Sequence, residues 1–274
     1  MRRTALVTGA GDGLGAAAAR RLAAAAWDVV AVDTDEAGLA ATALRSPNTH
    51  VRVCDVTDAK AVADVLAMTG PVHRVVHAAP IVSGDPALPA LEQPPGEADE
   101  AMRTGFTAAV NVVRAALPGM LDQGAGELIL CPPPGRAGRW TAASGAAAAA
   151  VLAYAGAVAD EYAGRGVIVR RVLLPGLTLM TASEAPSKDE ERSAIGRSSE
   201  GETPSGSGRS SEGARASEGG VPVRLVLDAI DRSLARAAGA VDVVPGGRPV
   251  PAALVRRIPA GPARRVLARM SGPR

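Results

Sequence analysis

The amino-acid sequence predicts an α/β fold, a doubly wound parallel sheet in a single domain, and three observations carry the prediction. Short aliphatic and β-branched runs recur along the chain and read as parallel strands buried on both faces. Alanine-rich stretches of high helix propensity lie between them. The first run, Thr4-Ala5-Leu6-Val7-Thr8, stops at the closely spaced Gly9, Gly11, Gly13 and Gly15. Strand and helix alternating in this way give a Rossmann-type sheet whose ligands bind at the carboxyl ends of its strands.

Thr4–Thr8 is the first strand and Gly13–Ala26, built largely of alanine, the first helix. The valine-rich Asp28–Asp33 follows as a strand, then Glu36–Leu44 as a helix. His50–Val56 and Ala59–Ala67 form the third pair, and Arg74–Ala79 is the fourth strand before a long helical stretch, Glu97–Leu121. Glu127–Cys131 leads into the alanine-rich helix Thr141–Ala163, and Val167–Leu174, Pro222–Ala237 and Val241–Val244 complete the alternation. One segment interrupts it. Residues 183–220 are mostly Ser, Gly, Glu and Arg with Ile195 as the one large aliphatic residue, and they contain Gly196–Gly201 and Gly208–Gly213 as a duplicated hexapeptide. That composition buries too little apolar surface to offset its ordering entropy, so a disordered insertion is expected. It reads as a loop without consequence, or as a tether or lid whose serines can be phosphorylated. The sheet domain is thus residues 1–182 and 221–246, followed by an arginine-rich tail, 247–274, without an acidic residue.

Glycines between a strand and a helix let the backbone approach phosphates, and the helix N–H groups and dipole favour negative charge. Gly9, Gly11, Asp12, Gly13, Leu14 and Gly15 therefore read as the cradle of a dinucleotide pyrophosphate. Asp33 ends the second strand about twenty residues further on, where a carboxylate accepts the adenosine ribose hydroxyls and repels a 2′-phosphate. Asp12 adds a second negative charge, so NAD is expected over NADP. With Thr34-Asp35 following, Asp33 is also placed to cap a helix.

A formal net charge of +2 implies no general affinity for nucleic acid. Only Met1-Arg2-Arg3 precedes the first strand and no uninterrupted apolar run reaches about 20 residues, so neither a signal peptide nor a membrane span is expected. Cys54 and Cys131, both in expected strands, read as buried thiols of a cytoplasmic protein. His50, His73 and His77 have no partners at ligand spacing, so no metal site is expected. The tail is either a basic arm for an acidic partner or membrane surface, or a segment docked on a neighbouring subunit.

The glycine loop, Asp33, Asp55-Val56-Thr57-Asp58 after the third strand and Pro175-Gly176 after the sixth resemble the short-chain dehydrogenase/reductase family from Thr4 to Gly246. The resemblance implies an oxidoreductase fold using NAD or NADP, and a homo-oligomer, dimer or tetramer. It places Asp55 and Val56 on the adenine ring, Ala79 near the cofactor ribose, and Pro175 and Gly176 beside the nicotinamide. The family's catalytic positions do not match. Its Asn-Asn-Ala-Gly strand end is His77-Ala78-Ala79-Pro80 here, and its helix asparagine, thirteen residues before Pro118, is Gly105. Asn111 in the same helix reads as a packing or surface residue. Its serine position falls in Pro132-Pro133-Pro134, and its Tyr-x-x-x-Lys pair becomes Thr141 and Gly145. The chain's lysines, Lys60 and Lys188, lie elsewhere, and Tyr154 is roughly 220° round the helix from Thr141.

His77, with Arg136 and Arg139 near it in sequence, is the best-placed substitute for a proton donor, or else a polar strand-end residue contacting backbone. The expectation is an NAD-binding protein with a degenerate site, a pseudoenzyme acting as a sensor, partner or assembly subunit. The alternative is a divergent NAD(P)-dependent oxidoreductase on a small carbonyl or alcohol, since the cofactor carries the hard chemistry.

Overall fold

In the computed structural model the opening run forms β1 (Thr4–Thr8), buried from Ala5 onward. Residues 3–81, 88–132, 141–172, 179–180, 221–235, 241–243 and 250–251 are described. The further strands are β2 (Asp28–Asp33), β3 (Thr49–Val53), β4 (Arg74–His77), β5 (Gly126–Leu130) and β6 (Val167–Val172). Short β7 (Leu179–Met180), β8 (Val221–Pro222), β9 (Val241–Val243) and β10 (Val250–Pro251) follow. The main sheet runs β10-β9-β6-β5-β4-β1-β2-β3, and β7 pairs with β8 separately. Neighbours in the main sheet are parallel except β10 against β9. Strand order reverses between β1 and β4, which opens the crevice where ligands of such sheets bind.

Helices cover both faces because alternate residues of each strand point to opposite sides. On one face α1 (Gly13–Ala24) and α7 (Val223–Leu234) set Leu14, Leu22, Val226 and Ile230 against Val7, Val29 and Ile129. Arg21 of α1 grips Asp228 and Asp231 of α7, each at 2.7 Å, and ties the two helices together. On the other face α3 (Ala59–Thr69), α5 (Ala108–Asp122) and α6 (Ala142–Glu161) bring Val62, Val112 and Val151 onto Leu6, Val75 and Leu128. Each fully buried aliphatic side chain contributes about 1.5–3 kcal/mol. The short α2 (Glu36–Ala43) buries Leu39 and Thr42.

Several boundaries differ from the sequence expectation. The third strand is an edge strand, not buried on both faces, and leaves Val51 and Val53 37% and 59% exposed. It stops at Val53 because Asp55 turns the chain, its Oδ1 accepting from the Thr57 N–H at 2.8 Å. Cys54 and Cys131 are buried just beyond strand ends. The long Glu97–Leu121 helix is three pieces: α4 (Glu97–Ala101), a π-helical segment (Met102–Thr107) and α5. Within it the Ala108 N–H reaches the Arg103 carbonyl, five residues back.

Among the described residues α6 alone is long and apolar enough to cross a membrane, although its sequence is not an uninterrupted apolar run. It buries Ala147, Ala148, Val151 and Ala155 inside the domain, as a core helix does. Val250 and Pro251, in the expected tail, pair with β9. The 183–220 insertion and the rest of the tail lie outside the described residues.

Candidate dinucleotide site

The register sets Thr8 beside His77, so the turn after β1 meets the chain leaving β4. Gly9 lies there with φ +70°, and a Cβ on it would stand 2.5 Å from the Ala78 carbonyl oxygen and 2.7 Å from Ala79 Cα. Only glycine allows that conformation and that approach together. Gly11 donates its N–H to Asp33 Oδ2 at 2.9 Å, which joins the loop to the end of β2. Asp12 is the N-cap of α1, its Oδ1 accepting from the Gly13 N–H at 2.6 Å. Leu14 and Gly15, buried in the first turn, complete a helix N-terminus that follows the glycine turn, where backbone donors and dipole favour negative charge.

Beside the cradle lies a cleft of about 210 Å³, lined by Asp33, Asp55, Val56, Ala79, Pro80 and Arg103 among others. Whole ligand sites run to roughly 300–1,000 Å³, so this cleft suits one part of a ligand. Asp33 Oδ1 accepts from the Asp35 N–H at 3.0 Å, so its carboxylate serves the loop and the turn and makes no cap to the first turn of α2. A carboxylate bonded in this way retains acceptor sites for ribose hydroxyls. The Thr57 backbone bond, and to a smaller degree Arg103, hold the Asp55 carboxyl below its ordinary pKa, so it is ionised. Asn111 donates to the Val56 and Thr57 carbonyls at 3.1 and 3.0 Å, which fastens α5 to the turn carrying Asp55.

Sequence reasoning places Asn111 as a packing or surface residue and does not reach Arg103 at all. Arg103 donates from Nη1 to Thr57 Oγ1 at 2.7 Å and forks onto Glu100 at 3.0 and 2.8 Å. The Glu100–Arg103 spacing, three residues apart on an expected helix, is the one signal that could have drawn attention to it.

Thr141, Gly145 and Gly105, the residues expected at the resembling family's catalytic positions, have local structural duties. Thr141 is the N-cap of α6 and 4% exposed; its Oγ1 accepts from the Ser144 N–H at 3.1 Å and bonds the Ser144 hydroxyl. Gly145 follows in the first turn. The space beside Gly105 is filled, since a Cβ there would lie 3.0 Å from Ile81 Cγ1 and 3.2 Å from Ala147 Cβ.

His77 is 3% exposed, and its Nδ1 pairs with Thr8 Oγ1 at 2.8 Å. Burial pushes its pKa down to about 4, which leaves a neutral ring at pH 7. Tyr154 meets Phe106 edge-on at 5.8 Å, with its pKa raised mainly by burial. Pro133, Arg136, Arg139, Pro175 and Gly176 lie outside the described residues.

A dinucleotide fits what is present: a glycine cradle that a Cβ would fill, a helix N-terminus, and the Asp33 and Asp55 carboxylates among the three on the adjoining cleft. The chain is similar to a 2-keto-3-deoxy-L-fuconate dehydrogenase of Xanthomonas campestris pv. campestris, 32% identical over 70% of this chain. It covers 62% of that relative's length. It is 31% identical to a 2-dehydro-3-deoxy-L-rhamnonate dehydrogenase (NAD(+)) of Sphingomonas sp., over 61% of this chain and 68% of that one. Among solved structures, levodione reductase shares the fold with a TM-score of 0.56 and 24% identity, over 62% of this chain and 70% of that one. The short chain dehydrogenase family model matches residues 3–192, more than half of the sequence, and the chain belongs to that family.

Proposed function

We propose that this chain binds NAD in preference to NADP and turns over no carbonyl or alcohol substrate, or does so weakly, acting as a sensor, partner or assembly subunit. Members of its family bind dinucleotide cofactors. The observation that carries the reading is the contrast between the two halves of the crevice. The adenosine side keeps its glycines and carboxylates, whereas Thr141 is spent on capping α6 and the room beside Gly105 belongs to Ile81 and Ala147. Gly9, the α1 N-terminus and Asp33 would hold the pyrophosphate and ribose, and bound NADH would supply a hydride. A threonine hydroxyl is far too weak an acid to exchange protons as a tuned phenol does.

Fluorescence titration with NADH and NADPH tests the cofactor half. NADH is expected to saturate at concentrations at least tenfold below NADPH, and Asp33→Ser is expected to erase the preference. Equal affinity for both in the unmodified chain would sink it. Thr141→Val is expected to cost about 1 kcal/mol of stability in urea and leave NADH affinity unchanged. Weaker NADH binding at unchanged stability would instead place that hydroxyl in the site.

A divergent oxidoreductase is the second reading, and the named activities of its relatives, dehydrogenases of keto-deoxy sugar acids, favour it. There a bound cofactor and substrate react by proximity, the alcohol passing its hydride to NAD and its proton to solvent. Steady reduction of NAD with a 2-keto-3-deoxy sugar acid as the hydride donor would decide for it against the first reading.

A further inference from the structure

Among the described residues lining the adenosine-side cleft one side chain is cationic, and hydrogen bonds fix its placement. Arg103 stands in the π-helical segment, where the wider turn carries it and Thr104 onto the cleft wall together with Asp55 and Pro80. Both sides of its guanidinium edge are held. Nε and Nη2 fork onto the Glu100 carboxylate, and Nη1 donates to Thr57 Oγ1 with Asp55 Oδ2 4.0 Å away. These bonds lie in the guanidinium plane and use its in-plane donors, so the faces of the plane are left without hydrogen-bonding duty. The partners come from two separate elements, α4 and the turn after β3, so the plane is braced between them. Half of the Arg103 side chain is exposed, which leaves the group accessible to a ligand.

We propose that Arg103 binds the adenine ring of the dinucleotide, its braced guanidinium plane stacking on the purine face; the inference rests on the dinucleotide reading above. Arginine planes stack on aromatic faces and gain from the cation–π attraction, which a flexible ammonium cannot reproduce in the same geometry. The carboxylates of Glu100 and Asp55 lie at the edge of the guanidinium and offset its charge there. The group therefore acts as a flat surface and not as an anion receptor.

The full chain titrated by calorimetry with NADH, AMP and nicotinamide mononucleotide tests this. Arg103→Ala is expected to weaken AMP and NADH by roughly 5- to 30-fold and to leave nicotinamide mononucleotide within twofold. Arg103→Lys, which keeps the charge and loses the plane, is expected to lose nearly as much. Thr57→Val frees one side of the brace and is expected to give a smaller loss, and it serves if Arg103→Ala lowers the melting temperature by itself. AMP binding equally well to the unmodified and Arg103→Ala proteins overturns the proposal, as does full affinity in Arg103→Lys. A loss confined to NADPH would make Arg103 a phosphate reader and overturn it too. If the unmodified chain binds none of the three ligands, the dinucleotide reading falls and the adenine contact with it.

Discussion

Lowering the pH from 7 to 4 is expected to remove about 3 kcal/mol of folding stability through His77. In the unfolded chain the imidazole titrates near its ordinary 6.5, whereas burial holds it at about 4 in the folded protein. Below pH 6.5 the unfolded state takes up a proton that the folded state refuses, so stability falls with pH until the folded pKa is reached. The interval from 6.5 to about 4 corresponds to about 3 kcal/mol. The ring is enclosed and bonded to Thr8, so solvent does not screen the cost. Asp55 acts in the same direction but lower on the scale, because its folded pKa lies below the ordinary 3.8 and its contribution disappears under about pH 4. Urea denaturation at pH 7, 6, 5 and 4.5 for the unmodified chain and for His77→Asn separates the two. The unmodified chain should lose stability faster than the variant across this range. Parallel curves would mean that the imidazole is hydrated in the folded state.

Gly9→Ala is expected to destabilise the fold by about 3 kcal/mol and to reduce NADH affinity more than tenfold. Alanine at a φ of +70° costs about 1–2 kcal/mol, and its Cβ would overlap the Ala78 carbonyl oxygen. That oxygen belongs to backbone leaving β4, so relief requires moving the strand end and widening the cradle. Gly13→Ala is the control. Its φ of +53° carries a similar conformational cost, but nothing lies within 4 Å of the added carbon. It should lose about 1 kcal/mol and keep its fold around β4. Equal losses in the two variants would show that conformational cost, and not contact with Ala78, governs the loop.

The glycine turn between β1 and α1 was legible because its residues act through local backbone geometry. A glycine run between an aliphatic strand and an alanine helix has few other uses, and Asp33 follows at the spacing one strand–helix unit imposes. Arg103 and the bonding role of Asn111 were not legible for the opposite reason. Each acts on Thr57 across more than forty residues of chain, through a contact that sequence separation conceals. Nor does the sequence announce the π-helical turn, which is defined by backbone hydrogen bonds five residues apart and by no residue type.

By itself the sequence determined the fold class, the main parallel strands and the residue types at the crevice. Hydrophobic period, glycine placement and helix propensity are properties of short segments, and they survive without knowledge of partners. Tertiary structure decided which of those residues are committed. It buried His77 against Thr8, gave the Thr141 hydroxyl to the α6 cap, filled the space at Gly105 with Ile81 and Ala147, and left β3 at an edge. A side chain's chemistry depends on what surrounds it, and in a parallel sheet its surroundings come from segments far away in sequence.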